Sequence, residues 1–222
     1  MPLPRGAKQR APEVLARLSR SQEPPYTFLD HESPFQLLIA VILSAQCTDA
    51  MVNRVTPDLW ARWPTPQALA AAPRAEVEKV IFRTGFYRAK AKSIQGAAQA
   101  LLDRFGGEVP RGMEDLMSLP GVARKTANVV QGQVWGESDG VCVDTHVKRV
   151  AYRLGLVAKD DPLVAEADLM RVYPKEDWVD VPYHLIQHGR AVCDAKRPRC
   201  HACELADLCP RRGVAPEQVA AE

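Results

Sequence analysis

Four cysteines crowd into one short stretch near the carboxyl end of this sequence, and that cluster limits the fold more than any other feature. Its spacing, C-x6-C-x2-C-x5-C, gathers the thiols of Cys193, Cys200, Cys203 and Cys209 within one loop. Thiolates are soft ligands, and four of them complete either a tetrahedral zinc site or the ligand set of an iron-sulfur cubane. Zinc patterns usually contain two close pairs of ligands, whereas only Cys200 and Cys203 form one here. The spacing therefore favours a cluster but leaves zinc open.

The two remaining cysteines and the start of the chain bear on the compartment in which the protein works. Cys47 and Cys142 stand apart in apolar surroundings, and we expect them to be small core residues. No run approaches the roughly 18 to 20 apolar residues that cross a bilayer, and the basic start leads into no apolar segment of a signal peptide. Cysteines without an export signal argue against a disulfide framework. We therefore expect a cytoplasmic, nucleoid-associated protein, and nothing in the sequence demands more than a monomer.

Positive charge is concentrated beside the cysteines. The formal net charge of +2 over 222 residues is too small to indicate a polyanionic partner by itself. From Arg190 to Arg212, however, six basic residues outnumber three acidic ones. Lys196, Arg197 and Arg199 lie between the first two cysteines of the cluster. A metal-pinned loop can direct such side chains at phosphates, so we expect these three to bind nucleic acid, with a merely solvated basic face as the alternative.

The rest of the chain has the pattern of short helices interrupted by proline, and we predict an all-α fold. Three pairs combine an N-cap residue with a proline in the first turn, namely Ser33-Pro34, Thr65-Pro66 and Asp161-Pro162. Apolar residues recur at helical spacing after the first pair. Further helices are predicted over residues 74–82 and 88–105, after Pro120-Gly121, from about Asp144-Thr145, and over residues 180–191, with a Gly/Pro-rich connection at 106–112.

A tight turn directly precedes one of these helices, in the segment Leu119-Pro120-Gly121-Val122-Ala123-Arg124-Lys125-Thr126. A helix N-terminus presents unpaired N–H groups and a positive dipole end, which together attract a phosphate. Glycine at position 121 permits close approach of the backbone, and Arg124 and Lys125 add positive charge. The segment predicts an anion-binding hairpin, although a turn before a helix is common by itself.

Several motifs follow one another in a definite order along the chain. They are Leu43-Ser44-Ala45-Gln46-Cys47-Thr48-Asp49, Thr84-Gly85-Phe86-Tyr87-Arg88-Ala89-Lys90-Ala91, the hairpin, Val143-Asp144-Thr145-His146-Val147, His188-Gly189-Arg190 and the four-cysteine loop. Together they resemble the endonuclease III family of helix-hairpin-helix DNA glycosylases. The resemblance runs from about Ser33 to Cys209, and the combination is far more specific than any single motif.

This resemblance implies a fold in two parts. One is a six-helix domain that contains the helix-hairpin-helix, expected over residues 27–137. The other is a smaller helical domain, made from residues 1–26 and 138–215, which holds a [4Fe-4S] cluster on the four cysteines. Residues 216–222 are expected to be a frayed tail. Double-stranded DNA would lie across the groove between the two domains.

The resemblance also implies an activity, that of a bifunctional DNA glycosylase and AP lyase in base excision repair. Its partner would be duplex DNA that contains oxidised pyrimidines or abasic sites, and the damaged nucleotide would be extruded from the stack. Lys125 matches the family's nucleophile, because an amine can displace the base at C1′ and form the Schiff base that β-elimination needs. Asp144 matches the catalytic carboxylate, although with Thr145 it could instead only cap a helix.

The resemblance assigns DNA contacts to further residues. Gln46 matches a residue that fills the gap left by the extruded base, and Phe86 falls where the family places an apolar wedge. The alternatives are an exposed polar residue at a helix end for Gln46 and a core residue for Phe86. The other expected DNA contacts are Leu119, Gly121, Ala123, Arg124, Thr126 and His146.

Two departures from the family pattern bear on DNA binding. The family's hairpin usually has a second glycine where this chain has Ala123, so the added methyl group could hold the DNA backbone off or restrict the turn. Met117 is apolar where a polar residue is expected, and would alter the pocket wall.

Two rival functions are open. One is a related cluster-bearing glycosylase that excises adenine; that subgroup usually has serine at the position of Lys125 and a further C-terminal domain. The other is a non-enzymatic DNA-binding module with a structural zinc ion. It leaves Lys125 and Asp144 unexplained.

Overall fold

The fold is that of a computed structural model, which describes residues 1–22 and 27–219. These ranges contain twelve α-helices and no β-strand, so the prediction of an all-α fold is confirmed. The chain divides into two compact units, one formed by Thr27–Glu137 and the other by Met1–Tyr26 together with Ser138–Glu222. No helix in the described ranges is both long and apolar enough to cross a bilayer.

The helices are numbered α1 to α12 in chain order. They are α1 (Ala7–Ser21), α2 (Pro34–Leu43), α3 (Asp49–Arg62), α4 (Pro66–Ala71), α5 (Arg74–Ile81), α6 (Tyr87–Phe105), α7 (Met113–Met117), α8 (Arg124–Trp135), α9 (Thr145–Arg153), α10 (Pro162–Val172), α11 (Asp180–Ala191) and α12 (Pro216–Val219). Short 3-10 turns lie at Phe82–Thr84, Lys175–Asp177 and Cys200–Ala202. The unit Thr27–Glu137, all of whose residues are described, contains α2 to α8.

The centre of the unit Thr27–Glu137 is α2, which has no exposed face. Ser33 caps its first turn by accepting a hydrogen bond from the Gln36 amide at 3.2 Å, and Pro34 occupies the first helical position. Every residue from Phe35 to Leu43 is buried. A helix that is buried all round must be surrounded by others, and α3, α6 and α8 pack against it.

The other unit packs α1, α9, α10 and α11 together. Its core includes Val14 and Leu18 of α1 and Val147 and Val150 of α9, all of them buried. Helix α9 contacts both α10 and α11. The segment that begins at Asp144 is therefore held on two sides.

The helix starts that were predicted from proline pairs are confirmed, because Thr65 and Asp161 cap their helices as Ser33 does. Neither α1 nor α3 was predicted from the sequence. Each contains an internal proline, Pro12 in α1 and Pro57 in α3. Proline lacks the amide donor of a helical turn and is therefore taken for a break when only the sequence is considered.

Residues 216–222 were expected to form a frayed tail, but the first four of them are ordered. Pro216–Val219 forms one helical turn, and the Gln218 side chain donates a hydrogen bond to the carbonyl of Lys196 at 2.9 Å. The tail is thereby attached to the cysteine-rich loop. Residues 220–222 lie outside the described ranges.

Candidate active site and metal centre

The predicted hairpin lies between α7 and α8. Leu119 is 2% exposed and anchors the turn, and its carbonyl accepts a hydrogen bond from the Val122 amide at 3.1 Å. Gly121 has a φ of 80°, and a Cβ atom there would lie 2.7 Å from Cβ of Ser93 on α6. A residue with a side chain would be strained by this backbone and would displace Ser93. Gly121 is therefore required for the close packing of the hairpin on α6.

Ala123 occupies the position directly before α8. Its φ of −93° and ψ of 169° are ordinary extended values, which alanine adopts without strain. The expectation that its methyl group restricts the turn is therefore wrong. Ala123 is exposed and has no side-chain oxygen to cap α8. The positive dipole end of α8 thus lies at the surface, where an anion can approach it.

The first turn of α8 directs its charged residues outward and its apolar residues inward. Arg124 and Lys125 are exposed, Thr126 is half-buried and Ala127 is buried in the core. The Lys125 amine is therefore carried by a helix whose opposite face is fixed by packing. Met117, at the end of α7, is 44% exposed, so it lies outside the core of this unit.

Two exposed residues of the same unit have strained backbones. Gln46, with a φ of 52°, and Phe86, with a φ of 47°, are left-handed although neither is glycine. Such conformations are uncommon and concentrate at functional sites. Phe86 is 67% exposed, so the alternative that it is a core residue is wrong. Gln46 is exposed beyond the end of α2, a position that fits both of its interpretations.

Asp144 caps α9. Its Oδ1 atom accepts hydrogen bonds from the amides of His146 and Val147, both at 2.8 Å. The capping alternative is therefore observed, and it is compatible with a catalytic role because these two bonds engage only one carboxylate oxygen. The cap also fixes the orientation of the carboxyl group.

The His146 ring is half-buried beside α11. Its Nδ1 atom accepts a hydrogen bond from the Arg149 guanidinium at 3.1 Å. A Cβ atom at Gly189 would lie 3.1 Å from both Cβ and Nδ1 of His146, so glycine makes room for the ring. The Nδ1 atom of His146 is thus engaged by a bond within the protein.

The four cysteines line one pocket, which also includes Arg153 and His188. All four thiols are half-buried. Burial, with a smaller contribution from the other three thiols, raises the pKa of Cys203 to about 11, and burial also raises the pKa of Cys209. Thiols gathered in this way become stable thiolates when a metal neutralises their charge.

Arg153 holds the start of the cysteine loop, a role that was not predicted from the sequence. The residue is 6% exposed, and its guanidinium donates hydrogen bonds to Sγ of Cys193 at 3.4 Å and to the carbonyls of Asp194 and Ala195 at 2.6 and 2.8 Å. Among the residues that the structure describes, Arg153 has no carboxylate partner, which is unusual for a buried arginine. No local sequence signal indicates this role, because Arg153 and Cys193 are distant along the chain.

His188 is a second buried neighbour of the cysteines that was not assigned a role. It is 3% exposed, and its Nε2 atom lies 3.5 Å from Sγ of Cys203. Burial lowers the pKa of His188, although Glu204, whose Oε1 lies 4.0 Å from Nδ1, opposes that shift. The signal in the sequence is the motif His188-Gly189-Arg190, which places a histidine just ahead of Cys193.

The basic residues Lys196, Arg197 and Arg199 are exposed on the cysteine loop. The Asp194 carboxylate accepts hydrogen bonds from the amides of Lys196 and Arg197 at 2.8 and 2.9 Å, and these bonds lower the pKa of Asp194. The Arg199 guanidinium donates to the carbonyl of Ala191. Arg199 thus contributes to the structure of the loop itself.

Cys47 and Cys142 are half-buried, so neither is a fully buried core residue. Cys47 packs at the edge of the core of its unit, and its thiol lies 3.7 Å from the carbonyl of Thr48. Its position beyond the end of α2 explains its exposure, because the apolar run that precedes it in the sequence ends with that helix.

Comparisons with known proteins agree with this geometry. The model of the HhH-GPD superfamily of base excision DNA repair proteins matches residues 39–175. Endonuclease III of Synechocystis sp. is 53% identical over 203 residues, which cover 91% of this chain and 93% of the relative. Endonuclease III of Bacillus subtilis is 48% identical over 182 residues, which cover 82% of this chain and 83% of the relative.

A solved structure, described as a trapped endonuclease III-DNA covalent intermediate in an estranged-adenine complex, is 44% identical with a TM-score of 0.84. The alignment covers 92% of this chain and 96% of that one. The all-helical fold and the hairpin before α8 are thus those of a helix-hairpin-helix protein of base excision repair. Within that class, the identity and coverage of its relatives show that the chain belongs to the endonuclease III family. The resemblance expected from the motifs is confirmed.

Proposed function

We propose that this chain is a bifunctional DNA glycosylase and AP lyase, which removes oxidised pyrimidines from duplex DNA and cleaves the strand at the resulting abasic site. The observation that carries the proposal is the position of Lys125. It is an exposed amine on the first turn of α8, directly after a glycine hairpin whose helix end suits a phosphate. Since one chain supplies every residue in the proposal, we expect it to act as a monomer, associated with the nucleoid where its substrate lies.

Lys125 supplies the amine that distinguishes a lyase from a simple glycosylase. Its nitrogen bonds to C1′ of the extruded nucleotide while the bond from C1′ to the base breaks, and the base leaves with the electron pair and takes up a proton. Loss of an N–H proton and opening of the sugar ring give a Schiff base. The Schiff base acidifies the C2′ proton, whose removal expels the 3′ phosphate, and water then releases the amine.

Asp144 supplies the carboxylate of the same reaction. It takes the proton that the attacking amine loses, or stabilises the positive charge that develops on the sugar. Its bonds to the amides of His146 and Val147 support this role, because a group held by its helix cap needs no reorganisation during the reaction.

Gln46 and Phe86 occupy the space that the extruded nucleotide leaves. Extrusion costs about a few kcal/mol per unstacked step, and side chains that enter the gap offset part of that cost. Both residues are exposed and are carried on left-handed backbone, which directs them away from the core of their unit. A polar side chain and an aromatic one together can replace both the pairing and the stacking of the lost base.

The four cysteines are the residues that would hold a [4Fe-4S] cluster. All four cysteines line one pocket, and four thiolates are the ligand set of a cubane. Their spacing, with one close pair and not two, favours that centre over zinc. When bound, the cluster would cross-link the loop that carries Lys196 and Arg197, so that their side chains meet DNA phosphates in a fixed arrangement.

Borohydride trapping tests the proposed activity. Wild-type protein is mixed with a duplex that contains one thymine glycol, borohydride is added, and we expect a covalent protein-DNA complex on a denaturing gel because the reagent reduces the Schiff base. An undamaged duplex of the same sequence is the control and should give no complex. Excision of adenine opposite oxidised guanine without trapping would favour the adenine-specific rival. Binding without any base loss would favour the non-enzymatic module.

Absorbance and metal analysis test the cluster without any reference to activity. We expect purified protein to be yellow-brown, with broad visible absorbance and about four iron atoms per chain. Replacement of Cys203 by alanine is expected to remove most of that absorbance, since a ligand is lost, whereas Cys142→Ala should leave it unchanged. A colourless protein that contains one zinc ion would contradict the assignment.

A further inference from the structure

A buried lysine links two loops of the unit Thr27–Glu137. Lys90, on α6, is 5% exposed, and its ammonium group donates hydrogen bonds to the carbonyl of Leu43 at 2.8 Å and to the carbonyl of Thr84 at 2.7 Å. Lysine is rarely buried without a partner, because removing its charge from water is costly. Within the part of the chain that the structure describes, Lys90 forms no ion pair, so the two carbonyls are the partners that stabilise it.

Each of these carbonyls lies at the base of a loop that carries one of the two left-handed residues. Leu43 ends α2, and Gln46 follows it on the same loop. Thr84 ends the 3-10 turn that begins at Phe82, and Phe86 follows it. One ammonium group therefore joins the two loops through their backbones.

The surroundings of Lys90 favour this linking role. The carbonyl of Leu43 is at the C-terminal end of a helix, where the dipole is negative and a cation is stabilised. Burial lowers the pKa of Lys90, and the nearby Cys47 opposes that shift. Thr84 is itself fixed, because its hydroxyl donates a hydrogen bond to the carbonyl of Ile81 at 2.8 Å. The Lys90 amine is enclosed, so it can act on DNA only through the loops that it holds.

We propose that Lys90 is a positioning residue, which sets the spacing of the Gln46 and Phe86 loops so that both side chains enter the duplex together when a damaged base is extruded. This inference rests on the proposed function, in which these two side chains fill the gap. Without the ammonium group, two buried carbonyls lose their donor and the loops are no longer joined. Filling of the gap then becomes slower although neither Gln46 nor Phe86 has changed.

The test compares Lys90→Met with Lys79→Met, a control in the same unit whose lysine is exposed and paired with Glu76 at 2.8 Å. Base removal is measured in single turnover on a duplex with one thymine glycol, and strand cleavage is measured on a duplex with a preformed abasic site. We expect Lys90→Met to slow base removal about tenfold but abasic cleavage less than about threefold, because an abasic nucleotide has no base to unstack. The control should match the wild type on both duplexes.

A second comparison separates positioning from a general loss of structure. In a background that carries both Gln46→Ala and Phe86→Ala, Lys90→Met is expected to slow base removal less than about threefold, because a residue that acts through those two side chains contributes little once both are gone. Circular dichroism checks that each variant is folded. If Lys90→Met does not fold, Lys90→Gln, which keeps a donor for one carbonyl, is used in the same cycle with the same direction of effect expected.

Three results would be decisive. A selective loss that disappears when both Gln46 and Phe86 are alanine supports positioning by Lys90. Equal slowing on the two duplexes, or an undiminished effect in that background, would overturn it and leave Lys90 as a packing residue. A wild-type protein that processes neither duplex would contradict the proposed function itself, independently of Lys90.

Discussion

Replacement of Lys125 by alanine is expected to abolish the complex that borohydride traps and to slow base removal by a factor on the order of 10³ or more. Without the amine, no Schiff base forms at C1′, so neither its reduction nor β-elimination can follow. Lys125 is exposed on the first turn of α8, and the free energy of unfolding should change by no more than about 0.5 kcal/mol. Trapping on denaturing gels, single-turnover base removal and urea unfolding measure these three quantities separately.

Arg124→Ala is the matched control, one position earlier on the same exposed turn. It removes a positive charge but no proposed nucleophile, so we expect trapping to persist once enzyme saturates the DNA. Affinity for duplex should fall, and its dependence on salt should become less steep, because one phosphate contact is lost. A covalent complex that still forms with Lys125→Ala would mean that another amine attacks the sugar, and the proposed mechanism would fail.

Replacement of Asp144 by asparagine is expected to slow turnover by a factor on the order of 10² or more while stability is retained. Asparagine is as good an N-cap as aspartate, so its side-chain oxygen can keep accepting from the amides of His146 and Val147. The amide can neither take a proton nor stabilise a developing positive charge as a carboxylate does. Single-turnover rates and DNA affinity, measured on the same preparation, separate chemistry from binding.

Asp144→Ala shows what the cap contributes. It removes the carboxylate and the cap together, so we expect the same catalytic loss with about 1 kcal/mol less stability. Activity close to wild type in Asp144→Asn, combined with a loss in Asp144→Ala, would show that position 144 only caps α9. The pair of variants thus decides between the two interpretations of this residue.

The parts of the fold that follow from local chemistry could be predicted from the sequence. Ser33, Thr65 and Asp161 begin helices because a capping oxygen and a following proline act within one turn. The helix predicted over residues 180–191 spans Asp180–Ala191. Helices α1 and α3 were missed because the packing of their buried residues outweighs the cost of Pro12 and Pro57. Such packing cannot be recognised from a short stretch of sequence.

The residues of the candidate site likewise fall into two groups, those that the sequence predicts and those that only the folded structure reveals. Cys200 and its partners are close in sequence, so their spacing alone predicts that they share a pocket. Lys90 and Arg153 could not be identified, because the carbonyls of Leu43 and Asp194, which they bind, become their neighbours only when distant segments fold together. The sequence likewise did not decide whether Phe86 lies in the core or at the surface. Its left-handed backbone turns an aromatic side chain outward against the usual preference for burial.

The bonds of Arg153 make the shape of the cysteine loop depend on a helix that is distant from it in the sequence. The Arg153 guanidinium, on α9, donates to the carbonyls of Asp194 and Ala195. Gln218 adds a second attachment, at Lys196. A substitution in α9 or in the tail can therefore disturb this loop without changing any cysteine.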